Sequence, residues 1–187
     1  MSGNNPRGFT LLELIVVLII ISLMSAFVAP KLTGPLSNLD LKTASKNISS
    51  SLRYMRSHAA AEKTTCAALF DFDRNRLVLA SPAASALARE DFPIGNREAL
   101  DGALAASPDN EKDRPGGVKI YKLPDGVKLA RAVSREGDFS SGLFRIFFFP
   151  SGGSSGGEIT VANDRGRKYR INVDFITGTV QLSEVIG

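Results

Sequence analysis

From Phe9 to Ala29 the chain is an unbroken apolar run in which Glu13 is the only charged residue. A bilayer core needs roughly 20 apolar residues as helix, so the run has the length of a membrane span. A carboxylate inside such a helix costs about 2.5–3.5 kcal/mol even on lenient insertion scales, so its default reading is functional. The segment before the run, MSGNNPRG, is short and polar with one basic residue, Arg7. A secretory signal has a shorter apolar region and a small-x-small cleavage site after it. Here Pro30 and Lys31 follow instead, and Ser25-Ala26-Phe27 and Phe27-Val28-Ala29 only approximate such a site. The plain reading is a signal anchor with Arg7 on the cytoplasmic side.

Beyond the run the period is helical. Leu41, Ile48, Leu52, Met55 and Ala59 fall on one helix face, while Lys42, Lys46, Arg53 and Arg56 largely avoid it. Residues 31–64 therefore read as an amphipathic helix lying on a globular domain. A break or kink is expected at Gly34-Pro35, where proline removes a donor and crowds the previous turn. From residue 65 the pattern shortens. Residues 65–70 and 76–80 flank the turn-rich Asp71-Phe72-Asp73-Arg74-Asn75 and predict a hairpin. Residues 81–117 are rich in Ala, Pro, Gly, Asp and Arg, which predicts a long loop with one short helical piece near 97–106. Strands are then expected at 118–123, 127–133, 144–149, 158–162, 168–174 and 179–182. Pro124-Asp125-Gly126, Pro150-Ser151-Gly152-Gly153, Asn163-Asp164-Arg165-Gly166 and Thr177-Gly178 separate them. Many short, punctuated strands suggest an antiparallel sandwich.

The charge of +4, from 23 basic against 19 acidic residues, is well short of a nucleic-acid-binding composition. Cys66 is the only cysteine, so no intramolecular disulfide forms. It lies in an expected buried strand, where free cysteine packs as a small hydrophobe. Asp71 to Asn75 starts like a calcium loop, but Arg76 stands where the glycine is needed and Pro82 where the bidentate carboxylate is needed. Gly152-Gly153-Ser154-Ser155-Gly156-Gly157 lacks the Gly-Lys-Ser/Thr of a phosphate loop and reads as a flexible strand connection. His58, the only histidine, has no nameable serine and acid around it. No catalytic set, metal site or cofactor is expected. Arg165, Arg167, Lys168 and Arg170 form a basic cluster, read first as a solvated face balanced by Asp164 and Asp174.

Gly8-Phe9-Thr10-Leu11-Leu12-Glu13 resembles the type III signal of the type IV pilin and type II secretion pseudopilin superfamily. Two other stretches narrow the resemblance to its GspH/FimT-like minor pseudopilins. One is Phe147 to Ile159 followed by Tyr169-Arg170-Ile171-Asn172-Val173-Asp174 and Thr177-Gly178-Thr179-Val180. The other is Leu52-Arg53-Tyr54-Met55-Arg56-Ser57-His58-Ala59, similar to that group's LRxARSxA region with Met55 in place of alanine. The resemblance implies an α+β, pilin-like fold. Its long N-terminal helix, transmembrane in its first half, packs on an antiparallel β-sandwich-like domain. The implied layout is a leader peptide at 1–8, a transmembrane and filament-core helix at 9–30, an amphipathic continuation at 31–64, and a periplasmic β-domain at 65–187 with a variable loop at 81–117.

The same resemblance implies cleavage between Gly8 and Phe9 by a prepilin peptidase and N-methylation of Phe9. Glu13 would pair with the Phe9 ammonium of a neighbouring subunit. The implied partners are other pseudopilins in a filament, the inner membrane and secreted substrate proteins. The implied role is a structural subunit at or near the tip of the periplasmic pseudopilus, not an enzyme. The alternative is a FimT-like minor pilin of a type IV pilus that contacts DNA through Arg165, Arg167, Lys168 and Arg170, with binding that falls steeply with salt.

Overall fold

The computed structural model describes residues 9–80, 102 and 118–185; within the helix, the side chains of residues 25–36 are outside that description. The expected leader with Gly8, the loop at 81–117 and its helical piece lie outside the described residues, apart from Gly102. The chain divides into two compact units, residues 1–36 and 37–187.

Helix α1 runs from Leu11 to Glu62 and belongs to both units. The helix continues through Pro30 and Gly34-Pro35, so of the break or kink expected there the break does not occur. Proline removes one N–H from the ladder, and the helix resumes its bonding on either side. α1 ends at Lys63, which takes a left-handed conformation (φ 53°), with Thr64 N donating to Ala59 O at 3.1 Å. That is the usual closing geometry of a helix, here without the glycine that most often supplies it.

The second unit holds two antiparallel sheets. The first contains β1 (Cys66–Asp71), β2 (Arg76–Ala80), β3 (Lys119–Lys122) and β6 (Leu143–Phe148), in the order β3-β2-β1-β6. The second contains β4 (Val127–Ser134), β5 (Gly137–Phe139), β7 (Gly157–Asn163), β8 (Lys168–Val173) and β9 (Val180–Val185), in the order β5-β4-β7-β8-β9. The fold is α+β, as expected. Two strand predictions need correction. β5 was missed because three residues carry no readable period, and β9 runs on to Val185 past the expected end at 182.

Leu41, Ala44, Ile48, Leu52, Met55 and Ala59 of α1 are buried in one core with residues of both sheets, among them Phe70, Phe148, Ile159 and Ile171. This is the helix face the sequence marked. β1 and β2 are buried at every position, so their other face carries a second apolar cluster of Ala67, Leu69, Val78, Ala80 and Leu143. Strands apolar on both faces read as continuous runs rather than alternations, as Cys66-Ala67-Ala68-Leu69-Phe70 does. Cys66 is fully buried, and burial pushes its thiol up from the ordinary value against a hydrogen bond with Thr64.

Candidate assembly site

In the first unit, the sequence around Glu13 builds a helix start. Thr10 Oγ1 accepts the Glu13 N–H at 3.2 Å, and Thr10 O accepts Leu14 N at 3.2 Å. Thr10-Leu11-Leu12-Glu13 thus has the spacing of a capping box, with Thr10 as the cap. Glu13 also sits in the first turn, where a carboxylate interacts favourably with the helix dipole. Phe9 precedes the cap and is 81% exposed. From Leu11 to Met24 every large apolar side chain is exposed, Leu11 at 79%. A helix apolar all round is built to be surrounded, and a contiguous exposed surface of this kind marks an interaction site. Among the described residues no helix is long and apolar enough to cross a membrane. The expected span, 9–30, runs into residues 25–36, whose side chains lie outside the description.

In the second unit, α1 is tied to the sheets by polar contacts that its spacing does not announce. Arg53 donates Nε and Nη2 to Val180 O at 3.3 and 3.1 Å, and Arg56 donates Nε to Gly152 O at 3.2 Å. Both arginines belong to the stretch 52–59. They avoid the apolar face of the helix, as the spacing predicts, and from there they bond backbone carbonyls of the β-layer. The six-residue glycine-rich stretch is likewise not a free connection. Ser154 N donates to Phe175 O at 3.0 Å, Ser154 Oγ to Asp174 O at 2.8 Å, and Ser155 N to Phe147 O at 3.0 Å. These bonds pin it between β6 and the β8–β9 turn.

Asn163 organises the opposite end of the same unit. Its Oδ1 accepts Arg165 N at 3.1 Å and Arg167 N at 3.0 Å, closing the β7–β8 turn. Its Nδ2 donates to Ser37 Oγ at 3.2 Å and Asn38 Oδ1 at 3.0 Å. One buried amide therefore holds the turn and fastens it to α1. Asn75 fastens the β1–β2 turn to β4, donating Nδ2 to Val127 O at 2.6 Å and accepting Leu129 N at 2.9 Å. In that turn Asp71 accepts Arg74 N at 3.1 Å and pairs with Arg76 Nε at 3.0 Å. Its carboxylate is thus employed in the hairpin.

The basic cluster is only partly brought together. Lys168 and Arg170 alternate with the inward Ile171 and Val173, so they lie on the outer face of the sheet. Arg170 Nε pairs with Glu158 at 3.0 Å. Arg167 pairs with Glu184 at 3.7 Å, and Tyr169 donates its hydroxyl to the same carboxylate at 3.2 Å. Glu184 lies directly across from Tyr169, so Arg167 turns toward the face that Lys168 does not share. Arg165 is exposed in the turn itself. His58 stacks on Tyr54 with ring centroids 5.6 Å apart, and Lys119 lies over the same Tyr54 ring at 5.5 Å.

A capped apolar helix followed by a helix-on-sheet domain defines the class: a pilin-superfamily subunit. Residues 3–29 match the prokaryotic N-terminal methylation motif, and residues 44–177 match the family described as Type II transport protein GspH, to which this chain belongs. Type II secretion system protein H of Xanthomonas campestris pv. campestris is 30% identical over 175 residues, spanning 94% of this chain and 82% of that one. The structure of the minor pseudopilin EpsH from the Type 2 Secretion System of Vibrio cholerae is similar at a TM-score of 0.51 and 14% identity. The match covers 78% of this chain and 97% of that one. At that identity the likeness concerns the fold alone. The type IV minor pilin FimU of Pseudomonas aeruginosa matches at a TM-score of 0.45 and 12% identity, covering 78% and 90% of the two chains.

Proposed function

We propose that this chain is a minor pseudopilin of a type II secretion system. It is stored in the inner membrane by residues 9–30, with its β-domain in the periplasm. It is then drawn into a short filament, at or near the tip, where it supports protein export. The observation that carries this reading is the N-terminal one: Phe9, the Thr10 cap and Glu13 open a helix that is exposed and apolar through Met24. Cleavage after Gly8 by a prepilin peptidase leaves Phe9 as the new N-terminus, and methylation keeps its amine basic. In the bilayer the Glu13 carboxylate is a cost, and an ammonium from a neighbouring subunit offsets it. The helix therefore gains by leaving lipid for a filament core. The work is assembly rather than catalysis; the single histidine is stacked on Tyr54 and the single cysteine is buried in β1.

The test is a Glu13→Val variant expressed at native level in a secreting strain, beside a Gly8→Val variant. Glu13→Val is expected to be processed and to stay in the membrane fraction, while its cross-links to other pseudopilins and the export of secreted proteins fall. Gly8→Val is expected to remain at full length. Normal shortening of Gly8→Val, or wild-type cross-links and export with Glu13→Val, overturns the assignment.

A further inference from the structure

Among the described residues each sheet of the second unit has two edge strands, β3 and β6 in one, β5 and β9 in the other. An edge offers unpaired N–H and C=O groups to any strand that meets it. Three of these edges are guarded. β6 is bridged from Phe148 to Ser154, and Ser155 N donates to Phe147 O at 3.0 Å. β5 has only three residues, and Asn75 holds Val127 O and Leu129 N of β4 beyond it. β3 is four residues long with a lysine at each end, Lys119 and Lys122. β9 is the exception. It runs for six residues without lysine, arginine, proline or glycine, and it pairs with β8 without a bulge.

The bonds around β9 identify its free side. Asp174 N donates to Thr179 O at 2.9 Å, so Thr179 faces β8. Val180 O instead accepts Arg53 and faces away. Antiparallel strands alternate in this respect, so the N–H and C=O of Leu182 and Glu184 also face away from β8. The flank of α1 beside this edge is basic. Lys42, Lys46 and Arg53 fall within one sector of about 40° around the helix, and all three are exposed. α1 and β9 run in opposite directions. Arg53 meets Val180, whereas Asn163 bonds Ser37 and Asn38 at the end where Lys168 pairs with Val185. The helix rises about 16 Å from Arg53 back to Lys42, and the five steps along β9 cover about the same distance. Lys46 and Lys42 therefore stand level with the second half of β9.

We propose that β9 accepts an extended, acidic segment of a partner protein as one further strand. Leu182 and Glu184 supply its main-chain bonds, and Lys42 and Lys46 meet acidic side chains on its alternate residues. The spacings agree. The two lysines are one helical turn apart, about 6 Å of rise, and alternate residues on one face of a strand are about 6.7 Å apart. In this mode of recognition main-chain bonds supply affinity and alternate side chains supply specificity. Arg53 closes the edge at Val180 and sets where the added strand ends. A second copy of β9 fits this flank less well, because its one carboxylate, Glu184, is taken by Arg167 and Tyr169. The edge and the flank both belong to residues 37–187, so the contact does not depend on residues 9–30 crossing a membrane.

The experiment uses the full chain in detergent micelles and two fluorescent peptides, one alternating valine with glutamate, the other valine with lysine. Anisotropy measures binding and hydrogen exchange locates it. In the free chain the amides of Leu182 and Glu184 are expected to exchange fast, and those of Gln181 and Ser183, bonded to β8, slowly. The glutamate peptide is expected to bind, to slow exchange at Leu182 and Glu184, and to bind less well as salt is raised. An exposed ion pair shifts binding by up to about fivefold, so K42Q/K46Q is expected to weaken the glutamate peptide on the order of tenfold. Unchanged exchange at Gln181 and Ser183 in that variant shows that β9 is still folded. Absence of binding by the glutamate peptide, binding without protection of Leu182 and Glu184, or equal binding of the lysine peptide overturns the proposal. Protection of the same two amides that grows with protein concentration in the absence of peptide, with a dimer in sedimentation, overturns it in favour of a second copy of the chain.

Discussion

Arg53, in the middle of α1, places two nitrogens of its guanidinium on the single carbonyl oxygen of Val180, where β9 begins. The pair joins residues 127 positions apart. A hydrogen bond to a charged group contributes about 1.5–3 kcal/mol net, and this one also satisfies a partly buried carbonyl. Arg53→Ala is expected to cost about that much in urea unfolding. Arg53→Lys should recover only part of it, because an ammonium lacks the planar fork. Equal stability of wild type and Arg53→Ala would mean that the contact is ornamental.

Asn163 has two separable jobs, and one substitution divides them. Asn163→Asp keeps an acceptor for the amides of Arg165 and Arg167 but presents an anion to Asn38 Oδ1 in place of a donor. Hydrogen exchange should speed up around Ser37 to Asp40 while the turn amides stay protected. Asn163→Ala should lose protection at both places and cost about 1–3 kcal/mol, since it leaves buried partners unsatisfied. Uniform exchange changes in both variants would contradict this division.

Gly178 and Gly152 both take left-handed conformations, at φ 63° and 86°, but their surroundings differ. A Cβ on Gly178 would sit 2.4 Å from Gly152 O and 3.2 Å from Arg56 Cδ, whereas one on Gly152 meets nothing within 4 Å. Gly152→Ala is expected to cost about 1–2 kcal/mol for its backbone conformation alone. Gly178→Ala must also push the 152 carbonyl away from Arg56 and should be clearly worse in thermal melts. The opposite ranking would show that the contact between the two turns is loose.

Asp174 ties the β8–β9 turn by accepting Thr177 N and Thr177 Oγ1, both at 2.7 Å, and Ile176 N at 3.1 Å. The backbone and hydroxyl bonds from Thr177 hold its carboxyl below the usual aspartate range. With the folded value depressed, the contribution to stability is complete above the unfolded value of about 3.9 and is lost as pH falls through the lower folded value. The gap in urea midpoint between wild type and Asp174→Asn should therefore be wide at neutral pH and close in strong acid. A gap that does not change with pH would assign the turn's order to its backbone alone.

Much of this architecture was readable along the chain, where the signal is local. The buried face of α1 follows from Leu41, Ile48, Leu52 and Met55 at helical spacing. The β1–β2 hairpin follows from two apolar runs around Asp71 to Asn75. The misreadings share one cause, which is that the deciding partner lies far away in sequence. The helical spacing sets Arg53 and Arg56 off the apolar face but does not name Val180 and Gly152 as their partners. The glycine-rich stretch looks loose until Ser154 reaches Asp174 and Phe175. Arg167 and Lys168 are neighbours in sequence, yet Arg167 reaches Glu184 beside Tyr169 while Lys168 lies on the outer face of the sheet.

By itself, the sequence determined the N-terminal methylation motif and most of the elements. Thr10 and Glu13 act in linear order, and a helix cap needs no distant partner. Only the tertiary structure decided that the β7–β8 turn sits at the Ser37 end of α1 and the β8–β9 turn at the other. That assignment depends on antiparallel pairing, which returns β7 to the Ser37 end of α1 and carries Phe175 and Ile176 to the other.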